Sequence, residues 1–323
     1  MSTLPMSPLP AIGRSVRAYF APVDRVHQQP VLFDPAVNGR FSLSAPPAPW
    51  ISLGWIESFA RKSASKFGGL VTGSPGTTQF QVRETVDATV AFRFKQWSKL
   101  SMALSAGSEH MNLIVAAAGG TANGSGSKGV PAVALAAGST ATFLAMAAAD
   151  AAGFSAGSLV AVDLDYSAQT GYVGSGVSGA YVQSAAEVGS DPDYIRRVTF
   201  NVARVASVSS SGLTLAQPLI AGVPAAAMRV QPLCGFVDRE GGSFFQEWSA
   251  LFVIDGEQGE RILYHYPRLQ AMAGAAEAST PLIAPLERIA LDAAFRALPV
   301  TDANDGAQVV CFRSFLPSAA ALV

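Results

Sequence analysis

The sequence predicts an all-β protein: an antiparallel β-sandwich or barrel with one short flanking helix, plus an inserted small β-barrel domain. Three observations predict this fold class. One long segment alternates between apolar and polar residues, and many short β-rich segments are separated by turn residues. A glycine-rich stretch also interrupts the chain where its composition changes. The length of 323 residues suggests two domains, or one core that carries an insertion.

The composition favours a protein that is covered by partners. Half of the residues are hydrophobic and only 14% are charged, which suffices for a core but leaves few charges to solubilise a lone monomer. The 22 basic and 23 acidic residues nearly balance. Composition therefore gives no electrostatic reason to expect affinity for nucleic acid.

The N-terminal region predicts an arm, a strand and a loop. Residues 1–13 contain three prolines, which exclude a regular helix or a central strand and indicate an extended arm. Residues 14–23 read as the first strand. Residues 24–49 are rich in Pro, Asn and Gly and form a long loop, for which subunit contact is the natural function.

The segment 79–95 carries the clearest pattern. One parity is apolar: Phe80, Val82, Val86, Ala88, Val90, Phe92 and Phe94. The other parity is polar: Gln79, Gln81, Arg83, Thr85, Asp87, Thr89, Arg93 and Lys95. Alternation of this kind predicts a half-buried antiparallel strand. Glu84 interrupts the apolar parity and predicts a bulge. A straight strand of this length would reach roughly 55 Å, which suits a protein that lines a tube or extends a hairpin onto a neighbour.

A short helix is predicted directly after this strand, over residues 96–106. Trp97, Leu100 and Leu104 lie at helical spacing on one face, which is expected to pack on the sheet, and Gly107 ends the helix.

The middle of the chain predicts an inserted domain. Residues 119–129 are a flexible linker by composition, and residues 130–232, rich in Ala, Gly, Ser and Val, form the inserted outer β domain. Its predicted strands are 158–166, 170–175, 194–209 and 213–220.

The core consists of residues 14–118 and 233–323. In its second part we expect a hairpin, a strand, a tight turn and a closing strand. These are residues 244–269, 286–298, 304–306 and 307–316, respectively.

One sequence motif resembles a catalytic site. Residues 153–157 match the G-x-S-x-G pattern of a serine nucleophile, here Ser155, which requires a strand before the serine and a helix after it. The residues that follow read instead as a strand. The three histidines, His27, His110 and His265, are far away in sequence, so we interpret the match as a tight turn.

The remaining motifs indicate no cofactor and no metal. Residues 124–129 and 174–179 match G-x-G-x-x-G, but neither lies between a strand and a helix. Cys234 and Cys311 have no ligand spacing and read as small buried hydrophobic residues. The four tryptophans are expected in core or interface packing. They are Trp50, Trp55, Trp97 and Trp248. We therefore predict no catalytic, cofactor-binding or metal-binding residues and no enzymatic activity.

The sequence also predicts no membrane segment. The N-terminus lacks the basic start and apolar stretch of a secretory signal. The apolar run 133–154 is mostly alanine and includes Asp150, so it falls short of a bilayer span. We expect the chain to be made in the cytoplasm.

Four segments, in order, resemble the tail tube (major tail) proteins of long-tailed bacteriophages and related contractile systems. These segments are residues 50–63, 72–107, 245–270 and 297–317. The inserted block looks like the small β-barrel modules that are embedded in phage structural proteins. The resemblance covers roughly half of the chain. It depends on the order of the segments and on their residue patterns.

This resemblance implies a structural subunit of the virion tail. Such subunits form stacked hexameric rings around a DNA-conducting channel, with the N-terminal arm and long loops on the next ring and inserted domains outside. The implied partners are copies of the chain itself, with the tape measure protein, tail terminator, baseplate and sheath as further candidates and DNA only in passage. The polar face of 79–95 would line the channel. The alternatives are another self-assembling phage protein (capsid, decoration or adhesin-like) and an enzyme.

Overall fold

A computed structural model describes most of the chain. The described residues are 15–23, 29–124, 126–127, 129–163, 200–226, 228–239, 247–256, 259–272, 276–283 and 286–318. The predicted arm 1–13 and the predicted strand 170–175 lie outside them. In chain order the elements are β1 (Val16–Pro22), α1 (Pro35–Asn38), β2 (Ile51–Thr72), β3 (Thr77–Phe94), α2 (Lys99–Ala106), β4 (Glu109–Ile114), β5 (Val133–Ala134), β6 (Phe143–Ala145), α3 (Ala148–Ala151), β7 (Leu159–Asp163), β8 (Val202–Ser209), β9 (Gly212–Leu215), β10 (Arg229–Arg239), β11 (Glu247–Asp255), β12 (Arg261–Ala271), β13 (Ala276–Ile283), β14 (Leu286–Leu298), β15 (Val300–Thr301), β16 (Gln308–Val309) and β17 (Phe312–Leu316). The described chain is mostly strand, and its strands pair antiparallel, which confirms the all-β prediction.

Six strands of the larger sheet close into a ring. The sheet runs in the order β13-β14-β3-β2-β1-β11-β12-β17, and β14 also pairs with β12. The closed ring therefore consists of β1, β2, β3, β14, β12 and β11. Its interior holds a cluster of buried aromatic side chains, in which Phe92 stacks on Phe295 at 5.9 Å between ring centroids and Phe20 contacts both. Burial of this apolar surface is the main stabilisation of the ring.

A second sheet is built from the middle of the chain. It runs in the order β4-β10-β7-β8-β9-β6, with β5 also on β10, and it encloses a separate apolar cluster that includes Leu144, Val160 and Leu213. Its limits differ from the expected 130–232. Strand β10 crosses residue 232, and β4, which was expected in the core, pairs with it. The described part of the glycine-rich stretch is accordingly a loop inside this sheet, between β4 and β5. Independent folding of the unit stays a prediction.

The predicted helix α2 is confirmed, with one correction. Ser98 caps its N-terminus, and Gly107 ends it with a φ of +62°, a left-handed conformation that glycine adopts without strain. Leu100 and Leu104 are buried as expected, but Trp97 is half exposed. The reason is that the backbone at Ser98 is extended, so Trp97 precedes the helix and does not share its apolar face.

The expected elements of the second core segment are also present. Strands β11 and β12 form the predicted antiparallel hairpin, with one register shift between Trp248 and Ala250, and β14 covers the predicted strand 286–298. The predicted closing strand 307–316 is divided into β16 and β17, of which β17 pairs with residues 261–265 of β12, next to the part of β12 that pairs with β14. Among the described residues no helix is long and apolar enough to span a membrane.

Candidate assembly surface

A long exposed hairpin extends from the ring. Strand β14 pairs with β3 over residues 89–94, and β1 pairs with β2 over residues 51–56. Beyond these residues β2 and β3 pair only with each other. We call the hairpin of residues 63–88 the arm; it is distinct from the N-terminal arm predicted for residues 1–13. Each of its strands is about 10–12 residues long and therefore reaches roughly 35–40 Å.

The register of the arm contains a bulge at Glu84. Lys66 pairs with Thr85, and the next residue of β2, Phe67, pairs with Arg83, so Glu84 has no opposite residue. The predicted bulge is therefore confirmed at the expected residue. Because β2 continues without interruption through this point, residues of β3 on the two sides of the bulge follow opposite parities.

Gly68 makes room for the side chain of Glu84. A Cβ atom at position 68 would overlap Glu84 Oε1. The Glu84 carboxylate lies on this side of the hairpin and forms an ion pair with Lys66, with 3.1 Å between Nζ and Oε2. Both groups are well exposed, so the ion pair itself contributes little to stability.

The bulge divides the apolar parity of β3 between two faces. Residues that pair across a ladder share a face. Val90, in the buried interior, pairs with Arg61, and counting along β2 in steps of two leads from Arg61 to Phe67 on this inner face. Phe80 pairs instead with Leu70, which lies on the outer face of the arm.

The outer face of the arm thus ends in an exposed apolar row. Val82 pairs with Gly68, so it shares this face with Leu70 and Phe80. The three side chains are 66%, 58% and 68% exposed, respectively. Isolated exposed apolar residues are common, but a contiguous row at the end of a protruding hairpin is typical of an interaction surface.

The expectation for residues 79–95 is therefore only partly correct. Ala88, Val90, Phe92 and Phe94 are buried on one parity, as predicted. The expected single polar face is wrong, because the bulge places Arg83 on the inner face and Asp87 on the outer face. Residues 77–87 of β3 are exposed, so both faces of the far part of the arm meet solvent.

The outer face near the base of the arm carries paired charges. Four ion pairs lie along it, and each joins a basic residue to a carboxylate. Their N–O distances are 2.7 Å for Arg93–Asp292, 3.1 Å for Lys66–Glu84, 3.2 Å for Arg296–Asp87 and 3.4 Å for Lys95–Glu57. The surface is consequently charged but locally balanced.

The structure places Ser155 outside any nucleophile elbow. The serine is exposed and follows the short helix α3, and the chain then enters strand β7 through Gly157, whose φ is +87°. This context confirms the interpretation as a turn that enters a strand. His265 lies on β12 in the other sheet, while His27 and the side chain of His110 are outside the described part.

His265 is a buried residue of the ring. Its Nε2 lies 3.3 Å from the carbonyl oxygen of Val31, and its imidazole stacks on Phe312 and meets Trp50 edge-on. Burial lowers its pKa to about 4. A neutral imidazole packed among aromatic rings indicates a role in holding the loop of residues 29–50 on the ring.

The cysteines and tryptophans are placed in part as expected. Trp50 and Trp248 are buried in the core, and Arg17 lies over the ring of Trp55. Both cysteines are free, but Cys234 is exposed, contrary to the expectation of burial, because it lies at the register shift between Leu233 and Gly235 in β10. Cys311 is partly buried, which raises the pKa of its thiol.

No model of a protein family matches the chain, and no curated protein matches it.

Proposed function

We propose that this chain is a structural subunit that assembles with copies of itself into a tail tube of a phage or a phage-like particle. In this proposal the subunits form hexameric rings that stack around a DNA-conducting channel. The observation that carries the proposal is the arm, a long hairpin with an exposed apolar row at its end. The resemblance of four sequence segments to tail tube proteins supports the choice of a tube.

The apolar row provides the driving force for assembly. Full burial of a Leu, Val or Phe side chain contributes about 1.5–3 kcal/mol. The three side chains of the row are about two-thirds exposed, so covering them contributes roughly 3–6 kcal/mol. That range changes an association constant by roughly two to four orders of magnitude. A ring or a filament requires the receiving surface on the neighbour to be a different patch from the row, so the proposed contact is head-to-tail.

The balanced charges on the outer face suit a channel for DNA. Each phosphate that a protein cation neutralises releases counterions and adds affinity. Ion pairs such as Arg296–Asp87 reduce the positive field that would hold a passing duplex. In the proposed tube this part of the outer face lines the lumen, while the apolar row beyond it packs on a neighbour.

The alternative is another self-assembling phage structural protein, such as a capsid, decoration or adhesin-like β protein. The arm is equally compatible with a closed shell, because an exposed hairpin can bridge subunits in either assembly. Electron microscopy of the purified protein distinguishes these functions. Tubes or stacked rings of uniform diameter support the tail tube, whereas shells or isolated spikes favour the alternative.

A paired substitution tests the role of the arm. Phe80→Ser with Val82→Ser should abolish assembly and leave folded monomers, as judged by sedimentation velocity and circular dichroism. Gln79→Ser with Gln81→Ser is the matched control, because it alters neighbouring polar residues of the same strand and should leave assembly intact. Unchanged assembly of the Phe80/Val82 variant, or a wild-type protein that stays monomeric at high concentration, would contradict the proposal.

A further inference from the structure

A cleft lies under the inner face of the arm, where the arm leaves the ring. Its volume is about 700 Å³, which is within the usual range for small-molecule sites. The arm contributes Ser63, Ser65, Arg83 and Val86, and the adjoining residue Arg61 lies at its base. The opposite wall comes from the end of β14, from β16, from the residues that lead into β17 and from the start of β17 itself. Its lining residues there include Pro299, Gln308, Cys311 and Arg313.

Three arginines converge on this cleft, and two of them are held by aromatic residues. Arg61 donates a hydrogen bond from Nε to Tyr266 Oη at 3.0 Å, and its guanidinium lies 5.6 Å from the ring centre of Tyr264. The guanidinium of Arg83 lies 5.7 Å from the ring centre of Phe67. Arg313 is exposed at the opposite wall. Anchoring against aromatic rings reduces the conformational entropy that an arginine loses when it binds a ligand.

The charge of the cleft is uncompensated. Among the described residues that line it, three are arginines and none is acidic. Within the described chain, no ion pair joins Arg61, Arg83 or Arg313 to a carboxylate. The outer face of the same hairpin differs, since Lys66 and Arg296 are both paired there. The three unpaired arginines therefore concentrate positive charge on the inner face of the hairpin.

We propose that this cleft binds a small molecule that carries phosphate groups. Guanidinium groups present planar forks of N–H donors that match phosphate oxygens. The hydroxyls of Ser63 and Ser65 supply neutral donors beside the arginines. Three neighbouring positive charges favour a ligand of high negative charge over a single carboxylate, and the cleft is larger than one phosphate group. The ligand class is thus a polyphosphate or a phosphate ester.

Calorimetric titration of the unassembled full-length protein with pyrophosphate tests this site. Saturable binding is expected at constant ionic strength. Arg83→Gln and Arg313→Gln should each weaken it about tenfold or more, because each removes charge-assisted hydrogen bonds. Lys62→Gln is the matched control, because it removes one positive charge from the neighbouring position of β2 on the outer face and should leave binding unchanged.

Three results would overturn the proposal. The first is the absence of saturable binding by the wild-type protein at millimolar pyrophosphate. The second is an equal loss in the Lys62→Gln control, which would indicate attraction by overall charge. The third is tighter binding of citrate than of pyrophosphate, which would assign the cleft to carboxylates. Because the titration uses unassembled protein, each result is independent of the proposed tube.

Discussion

At the scale of single residues, Glu84 decides which way the end of the arm faces. Its bulge sets Phe80 opposite Leu70 and Val82 opposite Gly68. Regular pairing from Lys66–Thr85 onward would instead set Phe80 opposite Val71. The absence of a side chain at Gly68 makes the bulge possible, because the Glu84 carboxylate occupies that space.

Cysteine pairs can test this register directly. Leu70→Cys with Phe80→Cys should form a disulfide on mild oxidation, because directly opposite residues have Cβ atoms about 4.5–5.5 Å apart. Val71→Cys with Phe80→Cys is the control and should not cross-link. Mass spectrometry of proteolysed protein identifies the linked peptides and separates them from products of Cys234 and Cys311. Preferential linkage of the Val71 pair would show that the arm has no bulge.

A second residue, His265, should make the stability of the ring depend on pH. The pKa of the folded imidazole, about 4, is below its unfolded value of 6.5, so the folded state binds fewer protons between these values. The stabilisation is fully present above pH 6.5 and is lost as the pH falls towards 4. The depression corresponds to a loss of about 3 kcal/mol in the free energy of unfolding.

Urea unfolding of variants at several pH values checks this dependence. His265→Phe keeps an aromatic ring beside Trp50 and Phe312 and should flatten the fall in stability between pH 6.5 and 4. Phe312→Leu loosens the same packing but leaves the imidazole, so it should preserve the slope. Identical slopes for the wild type and His265→Phe would assign the acid sensitivity to other groups.

At the scale of elements, strands β4 and β10 connect the two large sheets of the described chain. They pair with each other, and Ile114 lies directly opposite Leu233. Deletion of the residues between Ile114 and Leu233 therefore removes the rest of the second sheet. The two new chain ends already lie side by side in the ladder, so a short turn can join them. Ala161, Ile114 and Leu233 share a small buried cluster, so the deletion exposes the last two.

Removal of residues 115–232 should leave a folded ring. The design joins residue 114 to residue 233 through Asn-Gly, because an Asn-Gly turn closes a hairpin. It also includes Ile114→Thr and Leu233→Thr, because the deletion exposes both positions and threonine suits an exposed strand. Circular dichroism, thermal unfolding and electron microscopy should then show a β protein that still assembles. The matched comparison removes the expected domain 130–232 only. An insoluble product from both designs would make the second sheet an integral part of the ring.

At the scale of the whole molecule, the two faces of the β2–β3 hairpin carry different electrostatics. The outer face has paired charges, and the inner face has the three arginines of the cleft. In the proposed tube the outer face borders the DNA, so the balance of its charges is part of the function. Loss of the carboxylates would leave the basic partners facing the channel.

Neutralising two carboxylates should therefore create DNA binding. Glu57→Gln with Asp87→Asn leaves Lys95 and Arg296 without their partners. Assembled particles of this variant should bind duplex DNA with an affinity that falls steeply as salt rises, measured by fluorescence anisotropy. Asp302→Asn with Asp305→Asn carries the same charge change in the β15–β16 turn and should not bind. Equal binding by the wild type and both variants would remove this face from the proposed channel.

Local sequence patterns determined much of the secondary structure. Alternating side chains predicted β3, turn residues predicted the β11–β12 hairpin, and the spacing of Leu100 and Leu104 with Gly107 predicted α2. The bulge at Glu84 was also predictable, because a single carboxylate interrupts an apolar parity. These features depend on residues that are close together in the chain, where backbone geometry and solvent contact dominate.

Only the tertiary structure determined that β2 and β3 extend into an arm and that the sheet closes into a ring. The far half of β2 contains Gly68 and Gly69 and shows no alternation, so it is a strand only because β3 supplies hydrogen-bonding partners. Ring closure depends on the pairing of β14 with β12, and the arginine cleft depends on Arg83 and Arg313, which are 230 positions apart in a chain of 323 residues. Such contacts follow from register and packing over long sequence separations, which the pattern of one segment does not contain.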